Sequence, residues 1–187
     1  MDVGIKSFYV DSNGNVVENP RAFTKFRRKL GRSQRRHARR KDGSRRKQKA
    51  RAAVAVVHEK IANVRRDFLH KESTKLVSDN QVIGIEDLNV AGMLKNHKLA
   101  KHIADVSWSS FFRLLKYKSA LYGCNLVQVG RFYASSQTCS VCGTKNPEVK
   151  DLDIREWDCP HCGTHHDRDR NVAINILRKA KEILAAS

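Results

Sequence analysis

Residues 139–171 open with Cys139-Ser140-Val141-Cys142-Gly143 and close with Cys159-Pro160-His161-Cys162-Gly163-Thr164-His165-His166-Asp167-Arg168-Asp169-Arg170-Asn171. In each cysteine pair two residues separate the thiols, and a glycine follows. Two such pairs across a spacer of this length form a zinc-site pattern. The short gap lets a tight turn aim both sulfurs at one ion, and the glycine suits a turn that closes at positive φ. Facing knuckles give a closed tetrahedral site of four cysteines, which is structural rather than catalytic. The spacing therefore predicts a zinc ribbon holding one Zn2+ on Cys139, Cys142, Cys159 and Cys162. A site that uses His165 or His166 is the weaker alternative, because Cys162-Gly163-Thr164 already closes the second knuckle. The ribbon leads through Asp167 and Asp169 into a helix.

Bulk properties narrow the setting. The chain has 187 residues, enough for one core and a small appended module. It carries 37 Lys+Arg against 19 Asp+Glu, a formal net charge of +18. Such a balance favours a polyanionic partner, nucleic acid first and an anionic membrane surface second. No apolar run approaches the roughly 20 residues of a spanning helix, and no signal peptide is present. Four of the five cysteines stand in zinc spacing, which argues for a reducing compartment and against a disulfide framework. That compartment makes the cytoplasm the expected location. Cys124, the fifth, reads as a small core residue.

Working outward from the ribbon, residues 171–186 read as an amphipathic helix with Val172, Ile176, Ala180 and Ile183 on one face. Before the ribbon, residues 126–129 read as a strand and 108–122 as a helix. That helix has a buried stripe of Trp108, Phe111, Phe112, Leu115 and Leu121, with Arg113, Lys116 and Lys118 outside it. Ser107 is its candidate N-cap and Gly123 its terminator. Residues 81–88 are short, apolar and β-branched, the strongest strand signal in the chain. That strand ends in Glu86, and Asp87 faces the other way. Residues 52–77 read as a long helix, with Val54, Val57, Ile61, Val64 and Phe68 forming its apolar stripe. Residues 2–18 read as a hairpin turning at Asn13-Gly14.

Residues 21–51 are basic throughout, opposed by Asp42 alone. Arg28, Arg32, Arg35, Arg36 and Arg39 recur at helical spacing, and Asp42-Gly43-Ser44 breaks the run. Without a partner such charges repel one another and favour disorder. The block otherwise reads as a phosphate-binding surface, with Arg28, Arg32, Arg35, Arg36, Arg39, Arg40 and Arg46 as the candidate contacts.

Three acids stand at the ends of separate elements: Asp2, Glu86 and Asp169. Singly, each has an ordinary reading as a frayed end, a rim charge or a helix N-cap. Converging beside a basic surface, they are what two-metal phosphodiester chemistry requires, because hard Mg2+ ions take oxygen ligands.

Several stretches together carry a family likeness: Asp2-Val3-Gly4-Ile5-Lys6-Ser7-Phe8, Arg65-Arg66-Asp67-Phe68-Leu69-His70-Lys71, Ile85-Glu86-Asp87-Leu88-Asn89-Val90, Ser135-Ser136-Gln137-Thr138-Cys139, and His166-Asp167-Arg168-Asp169-Arg170-Asn171. In these, in this order, the chain resembles the nuclease portion of the TnpB family. These are OrfB-type proteins of bacterial and archaeal insertion sequences, related to type V CRISPR effectors. The resemblance implies an α/β, RNase H-like (RuvC-like) fold: a mixed sheet with flanking helices and an inserted zinc ribbon. It implies a core over residues 1–134, the ribbon over 135–166 and a completing helix over 167–187. It also implies a catalytic site of Asp2, Glu86 and Asp169 holding Mg2+ or Mn2+, with two ions the expected number. Asp169 rather than Asp167 takes the third role. The implied activity is RNA-guided DNA cleavage, with DNA and a guide RNA as partners and neither a membrane nor a small-molecule substrate.

Two departures stand out. The larger N-terminal region typical of the family has no counterpart here, and no apolar half-strand precedes Asp2. The chain is therefore expected to be a fragment or the product of a split gene, with Asp2 the least supported ligand. The competing readings are a non-catalytic nucleic-acid-binding module, in which the acids are relics, and a purely structural zinc protein.

Overall fold

The computed structural model of the chain describes residues 1–151 and 153–186. Val82-Ile83-Gly84-Ile85-Glu86 has the β-branched, apolar character of a strand covered on both faces, and it forms β4 (Val82–Glu86). It pairs in parallel with β5 (Asn125–Val129), Glu86 standing opposite Val129. A parallel pair needs a crossover. Here the connection contains two short helices, α3 (Val90–Met93) and α4 (Ala100–Val106), then α5 (Trp108–Tyr122).

The N-terminal hairpin forms as its turn signal predicts. β1 (Asp2–Val3), β2 (Ser7–Val10) and β3 (Val16–Glu18) make an antiparallel sheet in the order β1-β2-β3. Gly14 at the turn has φ +89°, a conformation L side chains rarely adopt. The Met1 nitrogen donates to Gly84 O at 2.9 Å, which ties the start of the N-terminal sheet to β4. The result is a mixed α/β fold.

The last helix, α6 (Arg168–Ala185), packs on β4, β5 and β1. Val172, Ile176 and Ala180 face Val127 and Val129. The helix sits unusually close. A Cβ added at Gly84 would lie 2.9 Å from Ala180 Cβ and 3.0 Å from the Ile176 carbonyl oxygen. On the other side of the sheet, Phe8 and Phe111 are fully buried with their rings edge-on, 4.7 Å apart, and Phe68 closes the cluster.

The basic block is helical. α1 (Ala22–Ala38) and α2 (Arg45–Asp79) fold back on each other around Ala22, Leu30, Val57 and Ile61. The long helix starts at Arg45 rather than at residue 52, because the Ser44 hydroxyl caps it by accepting from Lys47 N. The start of α1 is satisfied from a distance. Asp105, buried on α4, accepts from Phe23 N at 3.0 Å and from Arg65 Nη2 at 2.9 Å. One carboxylate thus caps the arginine helix and pins it to α2.

Several expected surface assignments change. Val64 is exposed, because Arg65 turns inward toward Asp105. Leu121 is exposed at the end of α5 and Ile183 is partly so on α6. Lys118 is buried: its ammonium donates to His70 O, Ser73 Oγ and Thr74 Oγ1, clasping α5 to α2. Ser107 takes a left-handed conformation and makes no side-chain cap; its hydroxyl donates to Ala104 O. Cys124 is buried in the core.

The Gly84 contact yields a direct expectation. Gly84→Ala should destabilise the fold by about 1–3 kcal/mol through overpacking, read as a lower urea midpoint. An unchanged midpoint would mean that α6 is not seated on β4 at this spacing.

Candidate metal centre and carboxylate cluster

The two cysteine knuckles are built alike. Cys139 N donates to Thr144 O and Gly143 N to Cys139 O, both at 2.9 Å. Cys159 N donates to Thr164 O and Gly163 N to Cys159 O, again at 2.9 Å. Gly143 and Gly163 have φ +78° and +69°, as the sequence pattern anticipates. The four sulfurs all lie within 4.8 Å of one another. Cys139 and Cys162 are 3.7 Å apart, and Cys142 and Cys159 are 3.6 Å apart. Tetrahedral bonds of about 2.3 Å give sulfur–sulfur edges of about 3.8 Å, so these residues fit a zinc ion. His166 is not one of the four. It is buried against Trp157, and its Nε2 lies 3.1 Å from Cys139 Sγ. Toward a thiolate that nitrogen must be the donor, which makes His166 a support for the ligand.

α6 grips the segment leading into the first knuckle. Asn171 and Asn175, both fully buried, stand one turn apart. Asn171 Oδ1 accepts from Ser140 N at 2.9 Å, and its amide donates to Thr138 O at 2.9 Å. Asn175 donates to Thr138 O at 2.6 Å and to Ser135 O at 2.9 Å. The Ser135 hydroxyl in turn donates to Glu86 Oε1 at 2.6 Å. A continuous run of hydrogen bonds thus joins the first knuckle to Glu86. Buried Arg168 holds the other side of the module through Asp151 O and Ile154 O. None of Ser135, Asn171, Asn175 or Arg168 stands out as a site residue in the sequence. The available signal is a pair of asparagines at i and i+4 on the apolar side of the last helix, where a polar group must be satisfied.

The three acids come from β1, the end of β4 and the first turn of α6. Asp167 caps α6 by accepting from Arg170 N at 2.8 Å, which occupies its carboxylate. Burial, followed by the negative charges of Glu86 and Asp169, pushes the Asp2 carboxyl up to about 7. Asp2 therefore lies within electrostatic reach of both Glu86 and Asp169. Asp169 has a partial counter-charge, Arg155 Nη1 at 3.5 Å. Asp87 turns away from them and pairs with Arg131 at 3.0 Å. Among the described residues, the cysteines alone are drawn tightly enough to hold an ion as they stand.

The arginines divide between two clefts instead of sharing one face. Arg28, Arg32 and Arg35 line a hollow of about 690 Å3 on α1. Arg36, Arg40 and Arg46, with Lys49, line one of about 280 Å3 between α1 and α2. Arg39 is exposed beyond the end of α1 and lines neither.

With this geometry in place, known proteins supply the kinship. A family model described as a probable transposase (OrfB of IS605) matches residues 1–104. The chain belongs to the TnpB/OrfB family. A second model, the TNB domain of Cas12f1-like proteins, matches residues 108–176. A Streptomyces pristinaespiralis relative, named by inference as an RNA-guided DNA endonuclease, is 45% identical over 95% of this chain and 44% of its own length. InsQ of Escherichia coli, named in the same way, is 32% identical over 99% of this chain and 49% of its own length. This TnpB/OrfB chain thus spans less than half the length of those relatives. Its fold matches a Cas12f1–sgRNA–target DNA complex solved by cryo-EM, with a TM-score of 0.63 and 16% identity, over 94% of this chain and 48% of that one.

The Asp2 carboxyl gives a pH signature. Unfolded, it ionises near 3.8; folded, it holds its proton to about 7. Unfolding therefore releases a proton between those values, and stability falls as pH rises from 4 to 7. Asp2→Asn removes this slope. The variant should be more stable than the parent at pH 7.5 by about 1–3 kcal/mol, with the gap closing at pH 4. Equal stability at both pH values would show that the Asp2 carboxyl is not buried as described.

Proposed function

We propose that this chain is the nuclease portion of an RNA-guided DNA endonuclease, cutting DNA phosphodiester bonds with Mg2+ or Mn2+. What supports the reading is that the Asp2 carboxyl is raised by burial and by the negative charges of Glu86 and Asp169, acids on two other elements far apart in sequence. The proposed architecture is RNase H-like (RuvC-like), in which the two sheets would join in the order β3-β2-β1-β4-β5; the packing of α6 on β1, β4 and β5 supports this reading. Within it, residues 1–134 and 167–187 form the core, and 135–166 are a zinc ribbon inserted before the last helix. The names of the relatives and the likeness of the fold support this reading.

Asp2, Glu86 and Asp169 would hold the divalent ions. Bound there, such ions stabilise the attacking and leaving oxygens of the phosphodiester. The remaining work falls to the chain's own groups. Ser135 fixes the orientation of Glu86 through its 2.6 Å hydrogen bond. Arg155 holds Asp169 in place at 3.5 Å. Cys139, Cys142, Cys159 and Cys162 would hold a zinc ion that braces the segment carrying Ser135. Arg28, Arg32, Arg35, Arg36, Arg39, Arg40 and Arg46 bind the phosphates of DNA and of the guide RNA, an interaction that weakens steeply with salt.

Purified protein, carrying about one zinc per chain, should nick single-stranded DNA when Mn2+ is added. Glu86→Gln and Asp169→Ala should abolish nicking while leaving DNA affinity and its salt dependence unchanged. Ser135→Ala should lower the rate by about 10–100-fold, as loss of a ligand's supporting partner does. Nicking that survives both acid substitutions, or its absence with Mn2+ present, would favour the non-catalytic binding module instead.

A further inference from the structure

Phe132 is 98% exposed. The other large apolar side chains at the surface reach at most 63%. Its loop is not loose. Just before it, Arg131 donates from Nε to Asp87 O at 3.2 Å and from Nη2 to Asp87 Oδ2 at 3.0 Å. Just after it, Tyr133 N donates to Gly130 O at 3.0 Å, and the Tyr133 ring packs on the cluster formed by Val127, Val129, Val172 and Ile176. Ser135 is buried and bonded to Glu86. Both flanks are anchored inward while the phenyl ring points out, so its exposure is imposed by the turn.

We infer that Phe132 is a stacking platform for an unpaired base of the DNA strand presented to the carboxylates. For its placement the inference rests on the nuclease reading. Phe132 is three residues from Ser135, and three residues of extended chain span at most about 11 Å. The ring therefore lies within a few nucleotides of Glu86. A flat, exposed ring offers what an unpaired base needs, a π-face that tolerates any sequence. Paired bases stack on each other and offer no such face, so the occupant is single-stranded. The net charge of +18 favours a polyanion over an ordinary protein surface as the partner of this ring.

The test is fluorescence anisotropy of labelled oligo-dT with the full chain, without added Mg2+ or Mn2+. Phe132→Ala should weaken binding by about 5–150-fold, the equivalent of one stacked base. Phe132→Leu, which keeps apolar bulk but loses the π-face, should weaken it similarly. The salt slope should not change, because no phosphate contact is lost. Phe132→Trp should retain affinity, and its new indole emission should be quenched by oligo-dT. Trp108 and Trp157 are both buried and give a steady background. Melting temperatures of all three variants should match the parent, since the ring packs on nothing. Unchanged affinity in the alanine and leucine variants would overturn the inference, as would an effect confined to oligo-rU. Because no cleavage is involved, loss of nicking activity would count against the nuclease reading while leaving this result intact.

Discussion

The close seating of α6 on β4 is the constraint on which the rest depends. Gly84 has no side chain, so the backbone of Ile176 and the methyl of Ala180 approach to distances a Cβ would forbid. That approach sets the height at which α6 begins. Its first turn carries Asp169 and the end of β4 carries Glu86, and the negative charge of each reaches Asp2, whose neighbour Met1 bonds to Gly84 O. The same helix grips the first cysteine knuckle with Asn171 and Asn175. One docking event therefore seats α6 on the sheet and anchors the cysteine module.

The cysteine module is best understood as a brace. Its hydrogen bonds reach Glu86 through Thr138, Asn175 and Ser135, and its other flank is held by Arg168. The order of the parts is mechanical. An ion held by the four sulfurs would fix the knuckle; the knuckle is bonded to the segment before it, and that segment bonds Glu86 through Ser135. The reaction chemistry itself would belong to oxygen ligands, which suit Mg2+ as sulfur suits zinc.

Much of this is written in local pattern. The cysteine spacing, the glycines after each pair, the strand ending at Glu86 and the boundaries of the Trp108–Tyr122 helix follow from period and punctuation, and the structure has them where the sequence places them. What escapes is interaction at a distance. No helical period says that Lys118 will find the His70 carbonyl and the Ser73 and Thr74 hydroxyls on α2. Nor does it say that Asp105 will cap a helix more than eighty residues away. Asn175 reads as an ordinary polar helix position until the carbonyls of Ser135 and Thr138 are seen waiting for it. The arginine block misleads in the other direction. Its charge predicts repulsion, yet Leu30, Val57 and Ile61 supply enough apolar contact for two helices to pair and divide the arginines between two clefts.

The central claim is that Asp2, Glu86 and Asp169 form one divalent-cation site. The most direct measurement is Mn2+ binding by electron paramagnetic resonance on the zinc-loaded chain, compared with Glu86→Gln and Asp169→Ala. The parent should bind Mn2+, and either substitution should remove at least one bound ion while zinc content stays the same. Mn2+ binding that is absent from the parent, or indifferent to both substitutions, would contradict it.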